Sequence, residues 1–322
     1  MSTQSRAEYI NVLIPAYNAA SFIGEALESI AAQTRLPDNV IVVDDGSKDG
    51  TADIVEAFAR TSPMPLKLIR QPNSGASKAR NNGIKEMREG WVAFLDADDL
   101  WLPNNLAVLE ETARAAPNAV AAFGDGVYFS KHGPDSAPFS RAKAIAAGEP
   151  LPESGLFLLG QRLFTGLLPG SFIIPSSFMV RTAVLQAVGG FNTDILYHAD
   201  RLLMLQLSKA GDFVFVDRVL SRNRIHENNI THPKNTARNE LSSLSILNKL
   251  STLVPLTDQE VASIEAQKRI TVHQGSYSAS TSGLKSYLRF LREVKSINGR
   301  VAIPRLKDIA RAALRSFSSA GA

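Results

Sequence analysis

Residues 91–100 read WVAFLDADDL. A mostly apolar run of strand length leads straight into three carboxylates in four positions: Asp96, Asp98 and Asp99. Crowded carboxylates repel one another, and burying one without a partner is costly. A strand driven into such a knot implies a positive visitor. The surrounding sequence repeats the pattern of apolar run, polar loop and helix. Residues 9–14 (YINVLI), 40–43 (VIVV), 66–69, 91–95 and 120–129 read as strands. Between them the helical period appears. Ser21 opens a helix with apolar Phe22, Ile23, Ala26, Leu27 and Ile30, and further helices fit 51–59, 77–87 and 104–115. This alternation predicts an α/β fold with a mostly parallel central sheet flanked by helices. Residues 131–153 read as a long loop, 154–219 mix both patterns, and from about 236 onward nearly everything is helical.

The 322 residues allow one large domain or two modest ones. With no cysteine, disulfides and thiolate metal sites are excluded, which is compatible with a reducing cytoplasm. The first residues lack the apolar core and cleavage site of a signal peptide. Residues 155–180 are the most apolar, but Gln161, Arg162, Pro169 and Pro175 interrupt them, so a membrane span is not expected. A net charge of +4 gives no global argument for nucleic acid.

In an open parallel sheet, ligands bind beyond the carboxyl ends of the strands. The polar motifs fall there: PAYN at 15–18, DDGSKDGT at 44–51, NSGASKARNNG at 73–83 and DADD at 96–99. Each alone has a plain reading: DDGS is often only a turn, and most D-x-D pairs are solvated surface. Gly46 and Gly75 suit turn positions with unusual backbone angles. Together the four motifs deliver an aromatic, acids, glycines and a cation to one rim.

These stretches, with VLIPAYN, VVDDGSKDGT, NSGASKARNNGI and FLDADDLW as the matching pieces, resemble glycosyltransferase family 2 with its GT-A, Rossmann-like fold. A later segment, IPSSFMVRTAVLQAVGGFN, resembles the acceptor side of that family. The resemblance implies a GT-A domain over 1–232, divided into a nucleotide-sugar part (1–130) and an acceptor part (131–232), and a helical C-terminal region over 233–322. It implies an inverting transfer from a nucleotide diphosphate sugar, a UDP-sugar by preference, to a saccharide or lipid-linked acceptor in surface polysaccharide or glycolipid synthesis. Mg²⁺ or Mn²⁺, which take hard oxygen ligands, would neutralise the diphosphate. By similarity, Asp98 is the leading metal ligand and Asp99 a second. Asp96 would meet the ribose or a metal-bound water, Pro15, Tyr17 and Asp44 the base, and Arg80 the base or phosphates. In the segment Arg224-Ile225-His226, the imidazole would complete the metal sphere, or a cation would meet the diphosphate. His198 and His232 have weaker claims.

The family offers an acidic pair after GGF as its catalytic base. Here the aligned dipeptide is Ala199-Asp200, so the first acid is missing and Asp200 remains, with Asp194 as a fallback. Arg201 stands where an aromatic is common. Ala199 supports the competing reading of a catalytically lapsed, sugar-nucleotide-binding or scaffold protein. In the tail, residues 284–317 hold nine basic residues against Glu293 and Asp308, with apolar residues at helical spacing. Such a stretch suits an anionic membrane surface, here the cytoplasmic leaflet, or forms ordinary helices with basic faces in water. No nucleic-acid module accompanies the charge.

Overall fold

The computed structural model describes residues 8–130, 135–226, 236–299 and 306–319. The first half alternates as the pattern predicts: β1 (Ile10–Ala16), α1 (Ile23–Ala31), β2 (Asn39–Asp44), α2 (Thr51–Ala59), β3 (Leu66–Arg70), α3 (Ala76–Ile84) and β4 (Trp91–Phe94). Then come β5 (Leu100–Trp101), α4 (Asn105–Ala115), β6 (Ala121–Phe129), α5 (Arg141–Ala147), β7 (Glu149–Pro150), β8 (Leu156–Leu159) and α6 (Arg162–Leu167). The remaining elements are β9 (Phe178–Arg181), α7 (Thr182–Ala187), α8 (Ala199–Ala210), β10 (Phe213–Arg224) and four helices, α9 (Thr236–Leu253), α10 (Asp258–Thr281), α11 (Leu284–Asn298) and α12 (Leu306–Ser319).

The chain divides into two compact units. The first comprises Met1–Leu167, Ser171–Thr193 and Leu203–His226. Its sheet runs β3-β2-β1-β4-β9-β6-β10-β8-β7, with β5 paired to β10. Strands β3, β2, β1 and β4 are mutually parallel, β6 and β10 are parallel, and β9 lies antiparallel between β4 and β6. Strands covered on both faces read as continuous apolar runs. Accordingly Val12, Leu13, Ile14 and Val40 to Val43 are fully buried. Helix α3 packs tightly onto this layer because Gly83 has no side chain: a Cβ there would stand 2.3 Å from Leu13 Cδ1.

Two local expectations are corrected. Ser21 does not cap α1; Phe22 holds the cap position without a side-chain bond. The N–H groups of Phe22 and Ile23 donate to Ala19 O, and those of Ala19 and Ala20 to Thr51 Oγ1 and Asp49 Oδ2. The stretch 131–153 is not all loop either, since it contains α5 and β7. Buried Asp125 explains this, because its carboxylate accepts from the backbone N–H groups of Phe139, Ser140 and Arg141, each at 2.8 Å. Neutralising the first N–H groups of a short helix this way stabilises its start.

The second unit comprises Leu168–Gly170, Asp194–Leu202 and Glu227–Ala322. It has its own core of Leu244, Ala279, Tyr287, Phe290, Val294 and Ala312. Thr257 and Glu260 form a reciprocal capping box at the start of α10, with Glu260 N donating to Thr257 Oγ1 at 3.3 Å and Thr257 N to Glu260 Oε2 at 2.8 Å. No helix among the described residues is long and apolar enough to cross a membrane.

Candidate active site

The parallel register brings the motif ends level. Ala16 of β1 pairs with Asp44 of β2, and Leu13 with Phe94 of β4. Leu95 N then donates to Leu13 O, so the acids that follow emerge at the same rim as PAYN and DDGS.

The loops at this rim are tied to one another. Asp44 accepts from Ser47 N at 3.2 Å and also from Ser47 Oγ, and is buried. Asp45 accepts from Ser74 N and Gly75 N at 2.8 Å each and from Gln71 Nε2 at 2.7 Å, fastening the DDGS loop to the NSG loop. Gly46 is required where these loops meet: its φ is +78°, and a Cβ would lie 2.8 Å from Asn73 N. Tyr17 stands beside them with 51% of its surface exposed, a flat face open to solvent. Pro15, near the end of β1, is half-buried.

Asp96 and Asp98 have different partners. Arg80 Nη2 meets Asp96 Oδ1 at 2.6 Å, while its guanidinium lies 5.1 Å over the ring of Phe191 from the GGF segment. Asp98 Oδ2 lies 2.9 Å from His226 Nε2. That imidazole is stacked on Phe22, with ring centroids 5.2 Å apart. The meeting follows from the short strand β5. Its antiparallel register with β10 pairs Leu100 with Arg222 and Trp101 with Ser221, which carries the preceding acids alongside residues 223–226. Arg224 braces the pair: its Nε donates to Asp98 O at 2.9 Å and its Nη2 to Glu25 at 2.7 Å, with the rings of Phe22 and Phe129 beneath it.

Asp99, expected as a second metal ligand, has both oxygens engaged. Oδ2 accepts from Ser176 Oγ at 2.6 Å and from Asn223 Nδ2, and Oδ1 accepts from Arg224 N at 2.9 Å. Ser176 also receives Asp96 N on its hydroxyl and Trp101 Nε1 on its carbonyl. Ser176 and Asn223 carry this network; Ser176 lies in the acceptor-side segment IPSSFMVRTAVLQAVGGFN, but neither was singled out as a site residue. Their signal is only that each is a polar residue in an otherwise buried strand or turn. Removing the Asp99 carboxylate strands three donors in a dry site. Asp99→Ala is expected to destabilise the fold by about 2–4 kcal/mol, read from denaturant or thermal melts.

Burial, and then the neighbouring Asp96 charge, push the Asp98 carboxyl above the usual carboxylate range, against the pull of His226. Asp99 is pushed further, by burial and then by Asp96 and Asp98. Such a cluster favours a cation. Among the described residues no three His, Asp or Glu side chains converge as a complete ligand set. Asp98 and His226 supply two donors at one point, which fits an ion that takes its remaining ligands from phosphate oxygens and water.

Other predicted residues lie in the second unit. Asp200 is half-exposed in the first turn of α8, and Ala199 beside it is buried. Asp194 is solvent-exposed and paired with Lys249 Nζ at 2.9 Å, which holds its carboxyl below the usual range. His198 precedes α8 with a left-handed φ of +59°. His232 lies outside the described residues.

Comparison with known proteins gives the same frame. The model of the family described as Glycosyl transferase family 2 matches residues 11–189. An uncharacterized glycosyltransferase of Rickettsia typhi is 28% identical over 265 residues, covering 82% of this chain and 78% of that one. An uncharacterized glycosyltransferase of Escherichia coli is 40% identical over 90 residues, 28% of this chain and 26% of that protein. Among solved structures, S. aureus TarS 1-349 in complex with UDP superposes with a TM-score of 0.64 at 19% identity, covering 98% of this chain and 92% of that one. The mannosyltransferase PcManGT of Pyrobaculum calidifontis, in complex with GDP-Man and Mn²⁺, gives 0.60 at 18% identity, with 98% and 81% covered. With the family model spanning more than half of the chain and taking in all four strand-end motifs, this protein belongs to glycosyl transferase family 2 and has the GT-A fold.

Proposed function

We propose that the protein is an inverting, metal-dependent glycosyltransferase that moves a sugar from a UDP-sugar to a hydroxyl of a saccharide or lipid-linked acceptor, in surface polysaccharide or glycolipid synthesis. The observation that carries this reading is the Asp98–His226 pair at 2.9 Å, seated at the strand-end rim beside Arg80–Asp96 and the open ring of Tyr17. Similar folds bound to UDP-GlcNAc, and to GDP-Man with Mn²⁺, support the donor class and the ion.

In this reading Asp98 and His226 hold Mg²⁺ or Mn²⁺, and Asp99 braces the turn that presents them. The bound ion supplies positive charge against the diphosphate. Tyr17 packs on the base, Asp44 lies at its edge with Pro15, and Asp96 meets the ribose with Arg80 holding its orientation. Asp200 accepts the proton of the acceptor hydroxyl as that oxygen bonds to the anomeric carbon. The bond from that carbon to the diphosphate breaks, and the nucleoside diphosphate leaves with the electron pair. Burial of Ala199 leaves Asp200 as the side chain of this dipeptide that reaches solvent. A thermal-shift panel of UDP-, GDP- and dTDP-sugars with and without Mn²⁺ tests the donor, since a ligand that binds the native state raises the melting point. Metal-dependent stabilisation by a uridine species is expected. Stabilisation with no release of UDP for any donor and acceptor favours the lapsed reading that Ala199 raises.

The tail also supports an acceptor at a lipid surface. The apolar side of α11 is spent on the core, with Tyr287, Phe290 and Val294 buried. Its exposed side carries Lys285, Arg289, Arg292 and Lys295 around Leu288, which is 48% exposed. Adsorption by charge is therefore the expected mode. Binding to phosphatidylglycerol vesicles, absent with phosphatidylcholine, should weaken with salt and fall at least about tenfold when those four residues become glutamine.

A further inference from the structure

We propose that helix α9 is the frame that positions Asp200, with Arg201 as the positioning residue that links the two; this deepens the reading of Asp200 as the base. The segment 194–202 runs in sequence between GGF and the bulk of α8, yet it belongs to the same compact unit as α9. Four side chains of α9 hold it along its length. Lys249 pairs with Asp194 at 2.9 Å. Arg238 lies 5.2 Å over the ring of Tyr197 and donates to its hydroxyl at 3.2 Å. Ser242 Oγ donates to Tyr197 O, and Ser243 Oγ accepts from Arg201 Nη1 at 2.9 Å.

Arg201 is the innermost of these ties. It is only 4% exposed, and its second terminal nitrogen donates to Leu168 O. Burial lowers its guanidinium to about 10, with Glu240 of α9 and then Asp200 pulling the other way, so it remains charged at neutral pH. A buried cation must be fully paired. Its planar fork reaches two acceptors in fixed directions, which a lysine ammonium cannot reproduce. The backbone it anchors is strained. His198 adopts φ +59°, and its carbonyl accepts from Arg201 N at 3.1 Å to start the helix. Left-handed geometry at a residue other than glycine persists only when its surroundings enforce it. The ties to α9 do that one turn from Asp200.

The test uses the full chain with Arg201→Lys, with Ser243→Ala as the milder variant that leaves the buried charge in place. Amide hydrogen exchange over residues 198–204 is expected to quicken roughly tenfold or more, while β1, β2 and β4 keep their protection. With UDP-GlcNAc and Mn²⁺ as probe, the melting shift and the donor KM should stay unchanged while kcat for UDP release falls roughly tenfold to a hundredfold. In an Asp200→Asn background the same substitutions should lower kcat no further, because they act through Asp200. Unchanged exchange over 198–204 overturns the proposal. So does quickened exchange with undiminished kcat, or an additive loss in the double variant. Full activity of Asp200→Asn alone overturns the base assignment instead, which keeps the two failures distinct.

Discussion

Asp98→Ala is expected to abolish the Mn²⁺-dependent part of the donor-induced melting shift and to cut kcat/KM roughly a hundred- to thousandfold or more. Asp98 and His226 present two donors to one point, and Asp98 is the carboxylate of the knot that neither an arginine nor a full set of hydrogen bonds occupies. In the proposed metal site, removing it would leave His226, stacked on Phe22, as a single ligand, too little to hold a hard cation against water. The fold should tolerate the change, unlike Asp99→Ala, because among the described residues no buried donor depends on the Asp98 side chain beyond His226.

The same residue gives a pH dependence with a definite sign. Burial and Asp96 raise the Asp98 carboxyl in the folded chain above its ordinary value of 3.8. The folded state therefore binds this proton more tightly than the unfolded state does. Its contribution to stability is greatest below the unfolded value and declines as pH rises through the folded one. In metal-free buffer, Asp98→Asn should flatten that decline in melting temperature. With Mn²⁺ the wild-type chain should gain most above the folded value, where the carboxylate is ionised and free to take the ion. A wild-type curve that matches Asp98→Asn at every pH would refute the electrostatic account.

Asp200→Asn should separate binding from chemistry. The donor melting shift is expected to persist, while transfer falls roughly a hundred- to ten-thousandfold, the usual worth of a positioned general base. Asparagine keeps the size and polarity of the side chain at the start of α8 but cannot take a proton. Asp194→Asn is the comparison, since it loosens only the solvent-exposed tie to Lys249 and leaves the buried Arg201 tie to α9 intact. Its effect should be small. A large loss in Asp194→Asn with none in Asp200→Asn would move the base role to the fallback residue.

The α/β alternation, the strand-end motifs and the helical tail can be read from the chain alone. These are local properties: an apolar run, a helical period and a glycine-bearing turn are each written within about ten residues. The sequence also placed Asp44, Tyr17, Arg80, Asp96 and Asp98 on one rim, because parallel strands align their carboxyl ends whatever the loops contain. It could not separate the three acids of DADD. What distinguishes them is partners far away in the chain: Arg80 for Asp96, His226 for Asp98, and Ser176 with Asn223 for Asp99. Nor could it show that Ser21 would fail to cap α1: the N–H groups of Phe22 and Ile23 turn back to Ala19 O, in a stretch that Asp49 and Thr51 hold from elsewhere in the chain. The pairing of β5 with β10, the burial of Arg201 and the grouping of residues 194–202 with α9 emerge only in the folded chain. Each depends on which surfaces exclude water together, and no window of sequence contains both sides of such a contact.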